Sequence, residues 1–184
     1  MENKHSKNYY CVKALIREKL ISEIKLAFKG VKLGNGVGLY EAMGIDDYLP
    51  RSEQLQLRLK DEKYYWSNIS FSNIQDRSSS LSFFDAEGMR FHLPQFMIYD
   101  IISNHDTALF TLSYKLDTLE STNKFYLLNE TQILAIIHYL DFLKINLETD
   151  YQNCALNPSD IEEDMDYKKI ISAIKYWVSR LKRK

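Results

Sequence analysis

The sequence predicts an α+β fold, a mostly helical single domain packed around a small antiparallel β-hairpin or short sheet. Three observations carry that expectation. In the N-terminal segment Val12, Ile16, Leu20, Ile24 and Phe28 recur every four residues, the spacing of one helix face. Farther on, Asn129 and Gln132 form a capping-box pair ahead of the stripe Ile133, Ile136, Ile137, Leu140 and Leu143. Between these helices, the short runs 81–84 and 89–93 flank Asp85-Ala86-Glu87-Gly88. Asp at the first position and Gly at the fourth is a type I turn pattern, so these runs read as a hairpin.

The first helix is expected from about Tyr9 to Lys29, with Gly30 ending it. A glycine-rich connection, Gly34-Asn35-Gly36-Val37-Gly38, leads into a second helical run at Leu39 to Met43. Residues 51–61 are ambiguous: Leu55, Leu57 and Leu59 alternate with polar residues, but the Gln, Arg, Lys and Glu content favours helix. Helix is the reading adopted there. In the hairpin, Asp85 and Gly88 are the structural turn residues. Alternation puts Met89, Phe91 and Leu93 on one face, with Arg90 and His92 on the other. Pro94 suits the first turn of a helix running to about Ser103. A strand is expected at Leu109 to Tyr114, and a last helix from Ser159 to about Leu181. That helix starts acidic (Asp160, Glu162, Glu163, Asp164, Asp166) and ends basic (Arg180, Lys182, Arg183, Lys184), which complements its dipole at both ends.

Composition bounds the function. A chain of 184 residues is the size of one domain, and its 45% hydrophobic and 27% charged residues are those of a globular core with a solvated surface. The formal charge of −1 gives no global field for nucleic acid or anionic membrane. No apolar run reaches the length of a membrane span, and none behind Met1 to Lys7 suits a secretory signal. Cys11 and Cys154 stand in no metal or redox spacing, and two such thiols fit a reducing, cytoplasmic setting. The 13 tyrosines exceed Phe and Trp together, and tyrosine suits half-wet core edges and partner-binding faces alike.

The stretch Ser79-Ser80-Leu81-Ser82-Phe83-Phe84-Asp85-Ala86-Glu87-Gly88-Met89-Arg90-Phe91-His92-Leu93-Pro94 resembles the signature of a bacterial family of small uncharacterised proteins, a domain of unknown function. The resemblance extends to Gly36-Val37-Gly38-Leu39-Tyr40-Glu41-Ala42, Ile45-Asp46-Asp47-Tyr48, Asp61-Glu62-Lys63 and Trp66. It spans about residues 20–145 and leaves out the C-terminal helix. What it implies is a layout of helices around a short β-hairpin, with no established activity.

Several constellations invite chemistry. Gly34-x-Gly36-x-Gly38 suggests a phosphate loop, but it lacks a following Gly-Lys-Ser/Thr, and Tyr40 and Glu41 stand where a dinucleotide fingerprint needs glycine. The set Glu41, Asp46, Asp47, Asp61, Asp85 and Glu87, with Arg90 and His92, offers more. Glu41, Asp46, Asp85 and His92 are the catalytic candidates of a small metal-assisted or acid–base hydrolase. The competing reading makes Asp85 a turn cap and pairs Arg90 with an acid of the 41–47 helix, Glu41 foremost. His105 with Asp106, and His138 with Asp141, read as surface or core-edge pairs. No cofactor and no metal are expected. The leading functional expectation is a non-enzymatic protein-binding module of the immunity, toxin-neutralising type, whose acidic 160–166 segment meets a basic partner. Nucleic acid and membrane are not expected partners.

Overall fold

A computed structural model describes the backbone of residues 4–154 and 160–183, and the side chains of 13–154 and 160–183. The helices are α1 (Lys4–Ala27), α2 (Leu39–Asp46), α3 (Arg51–Arg58), α4 (Phe71–Asp76), α5 (Ala86–Ser103), α6 (Thr107–Ser113), α7 (Leu119–Phe125), α8 (Glu130–Asn153) and α9 (Met165–Leu181). Short 3-10 turns precede α4, α5 and α9. No strand occurs among the described residues, so the α+β expectation is overturned and the fold is all-helical.

The core forms around α5. From Gly88 to Ile101 this helix is buried at all but one position, Arg90 being half-buried, so its solvent-facing stripe is almost absent. It packs against α1, α4, α6 and α7, while α8 bridges α1 and α9. Two indoles fasten distant segments to this core through backbone carbonyls. Trp66 Nε1 donates to Phe28 O at 3.0 Å, and Trp177 Nε1 donates to Leu112 O at 2.9 Å. Trp177 is fully buried with its ring edge-on to Phe125, so α9 belongs to the same core as the rest.

The expected hairpin at 81–93 is a helix start. Asp85 Oδ1 accepts from Gly88 N at 2.8 Å, which is the N-cap geometry of α5. An Asp followed three residues later by Gly serves a type I turn and a helix N-cap equally well, and only the continuation decides. Here the continuation is buried on every side, so the alternation of Met89, Phe91 and Leu93 is a by-product of an almost wholly apolar helix. Pro94 sits nine residues into α5 and not in its first turn. Its missing N–H leaves the Arg90 carbonyl without the usual helical donor.

The expected strand at Leu109 to Tyr114 is α6. Its capping group comes from elsewhere: Asp100, on α5, accepts from Thr107 N at 3.0 Å and from Ala108 N at 2.8 Å. A third bond, from the buried Tyr139 hydroxyl at 2.7 Å, holds the same carboxylate. By contrast α8 opens where the sequence places it. The Asn129 side chain accepts from Gln132 N, and the Gln132 side chain accepts from Asn129 N. Asp164 caps α9, which begins at Met165; Ser159, the expected start, lies outside the described residues.

Candidate functional site

The glycine-rich segment folds down onto the start of α5. A side chain at Gly36 would overlap the backbone of Glu87 and Gly88, and one at Gly38 would overlap the Asp61 carboxylate, so both positions need the bare backbone. Val37 N donates to Asp85 Oδ1 at 3.0 Å, making that one oxygen the acceptor for both the loop and the α5 cap. Arg58 reaches across from α3, donating to Gly34 O at 3.0 Å and also to Gly36 O. The loop's polar groups are thus turned toward the protein's own acceptors and donors, whereas a phosphate loop would aim its amides at an anion.

The anion position at the start of α2 is filled by the protein itself. Asp61 accepts from Tyr40 N at 2.7 Å and from Glu41 N at 3.3 Å. Burial raises the Asp61 carboxyl to about 6, against the lowering effect of those two amides. Glu41 is buried too, and burial alone would raise it. Hydrogen bonds and charge from Arg58 (2.6 Å) and Arg51 (2.7 Å) outweigh that and hold it below the ordinary carboxylate range.

The four catalytic candidates do not share one cavity. Glu41 faces Arg51 and Arg58, Asp46 accepts from the Ser79 hydroxyl at 3.0 Å, and Asp85 is spent on the α5 cap. Among the described residues no three His, Cys, Asp or Glu side chains converge as metal ligands. The expected Arg90–Glu41 pair is not formed: Glu41 takes Arg58 and Arg51 instead, and Arg90 Nε is buried without a hydrogen-bond partner. The remaining histidine pairs also differ from expectation. His138 bonds Glu23 on α1 at 2.6 Å, and His105 stacks on Tyr99. In the C-terminal basic segment, Arg180 donates to Phe125 O at 2.8 Å, a use inside the fold.

Two of the candidates border open clefts: Asp85 lines one with Glu87 and Glu120, and His92 lines another. Its Nδ1 sits 2.7 Å from Gly88 O, and its ring stacks on Phe84 with centroids 4.3 Å apart. A carbonyl partner requires the proton on Nδ1. Burial drives the imidazole down to about 4, so it is neutral across the physiological range. The His92 cleft of about 540 Å³ is shared with Asp61, Tyr40 and Asn73, and Lys60 and Lys63 stand along it.

A second surface lies on α6 and α7, where no residue was singled out by sequence. Phe110 and Tyr114 stack with centroids 4.8 Å apart and are 57% and 51% exposed. Leu119 and Tyr126 are still more exposed. Phe110 and Tyr114 border a cleft of about 200 Å³. On its other side Phe110 adjoins Asp106 and Asp166, and these two continue with Asp150 into a furrow of about 270 Å³. The signal present in sequence was the four-residue spacing of two aromatics, which reads equally well as alternate residues of a strand.

An all-helical domain with a glycine-rich loop clamped on a buried helix start is the class that fold and cluster define. The chain belongs to a family of unknown function, DUF6714, whose model matches residues 16–181 and therefore includes α9 as well as residues 79–94. No curated protein and no solved structure matches it. No helix among the described residues is long and apolar enough to cross a membrane.

Proposed function

We propose that the protein is a non-enzymatic binding module of the bacterial cytoplasm, of the immunity type, that docks a basic protein through the α6 surface. The observation that carries this is the stacked pair Phe110 and Tyr114, each more than half exposed. Rigid aromatic side chains that are exposed in the free protein and ordered by mutual stacking are the residue type that dominates binding energy at interfaces. Asp106 and Asp166 adjoin Phe110 and continue to Asp150, although Lys169 engages Asp166 at 2.7 Å and Lys115 and Lys124 line the cleft that both rings border. Acidic groups beside an aromatic anchor favour encounter with a positively charged partner and set its orientation. The carboxylates that a hydrolase would need are engaged in capping and ion pairing, which leaves the binding reading with the better support.

The test is partner retention from host lysate on immobilised protein, with F110A/Y114A and D106N/D150N compared with wild type. One stoichiometric basic protein should be retained by wild type, lost from the folded F110A/Y114A variant, and released as salt rises. Equal retention by wild type and F110A/Y114A would remove the α6 surface from the interaction, and self-association of the chain as the only retained species would replace a foreign partner by a second copy.

A further inference from the structure

We propose that the cleft between α2 and the 60–73 segment, with His92 at its wall, binds a small hydroxylated anion of the class of phosphorylated or carboxylated sugars. This is independent of the α6 surface.

His92 is 1% exposed, and its Nδ1 is committed to Gly88 O. The other nitrogen, Nε2, has no hydrogen-bond partner among the described residues, although the ring lines the cleft. A neutral imidazole with its proton on Nδ1 presents Nε2 as a lone-pair acceptor, so the complementary ligand group is a hydroxyl or an N–H. This nitrogen reaches the open cleft, where water or a ligand donor can bond it.

Around His92 the lining is made of hydrogen-bonding groups more than apolar ones. The Tyr40 hydroxyl donates weakly to Asn73 Oδ1 at 3.4 Å, long enough to exchange for a ligand hydroxyl. The Tyr64 ring, 63% exposed, stands at the rim and offers a face for a sugar ring. The lining carries two lysines, Lys60 and Lys63, beside two carboxylates, Asp61 and Glu62, that are bound to backbone amides. Glu62 is taken up by the amides of residues 63–65 and Asp61 by those of 40 and 41. Lys60 and Lys63 make no ion pair among the described residues. Two such ammonium groups suit the anionic end of a ligand whose hydroxyls point at His92 and Tyr40. A cleft of about 540 Å³ falls in the range of small-molecule sites.

The experiment follows the His92 ring nitrogens by NMR in ¹⁵N-histidine-labelled full-length protein. Glucose 6-phosphate and glucuronate are the ligands, with glucose and inorganic phosphate as the halves of the proposed chemistry. Saturable movement of the His92 Nε2 resonance with either acid, weakened about tenfold in K60A/K63A, is the expected result. A response to one acid alone assigns the anion as phosphate or carboxylate. Both lysines are at the surface rim, so their variant keeps the fold and the comparison is clean. A His92 resonance unmoved by both acids overturns the proposal, as does K60A/K63A titrating like wild type or glucose binding as tightly as glucose 6-phosphate.

Discussion

The cluster around Arg58 and the surface around Phe110 are built on opposite plans. In the first, nearly every polar group has a partner within the chain: Glu41 with two arginines, Asp61 with two amides, Asp85 with two more. In the second, large aromatic side chains face solvent, stacked on one another with Lys115 over the Tyr114 ring. The residues that draw the eye in the sequence (glycines, acids and the Asp-x-x-Gly signature) are those of the first region. Their spacing is dictated by backbone contact and capping, so a distinctive motif here marks a structural joint, and the surface left for a partner lies in plain sequence.

If that contrast is right, substitutions in the two regions should separate stability from binding. The largest expected effect on stability is at Gly36. A methyl there meets the backbone of residues 87–88, which cannot swing aside, so G36A should destabilise by about 3 kcal/mol or more, measured by urea unfolding. A fully stable G36A would show that the loop does not dock on α5 as described. Close behind comes R58A, which strips Glu41 of its better-buried partner and frees two glycine carbonyls. Leaving a buried carboxylate with only the exposed Arg51 should cost about 3 kcal/mol, and R58A/E41Q should recover part of it.

The cluster also predicts an unusual flatness with pH. The folded Asp61 carboxyl is raised to about 6 from 3.8, so its ionisation opposes folding: stability is full below about pH 4 and is lost as pH rises to 6. The folded His92 imidazole is lowered to about 4 from 6.5, so its protonation opposes folding: stability is full above pH 6.5 and is lost as pH falls to 4. Each slope spans about 3 kcal/mol, and the two have opposite signs in the same window. Wild-type stability should therefore change little between pH 4 and 6 on their account. In D61N the compensation is gone, and stability should rise with pH across that window. A D61N profile parallel to wild type would contradict the assignment of the two pKa shifts.

The smallest effect on stability belongs to the other region. F110A/Y114A removes two side chains about half in solvent, so unfolding should shift by only about 1 kcal/mol while partner retention is lost. A loss of several kcal/mol would mean that these rings are part of the core.

What could be read in the sequence follows from where the determining contacts lie. The helices α1 and α8 were legible because their stripes and the Asn129–Gln132 box are local, within one or two turns of chain. The hairpin reading failed because Asp85 and Gly88 satisfy two local motifs, and burial on all sides, a tertiary property, chose the helix. The strand reading failed at α6 because its cap is Asp100, on the preceding helix beyond a left-handed Asn104, and not a residue at its own start. At the site, Asp61 is one acid among six in the sequence. Its role depends on Tyr40 and Glu41, whose amides come to it from 20 residues away, so no spacing rule could have shown it.

The most direct test of the binding account is site-specific photo-crosslinking in the host. A photoreactive phenylalanine analogue replaces Tyr114 in one protein and Tyr48 in another, the latter 94% exposed just beyond α2. The account predicts a single protein adduct from position 114 and none from position 48. An adduct from position 48 with none from 114 would contradict it and move the docking surface to the end of α2.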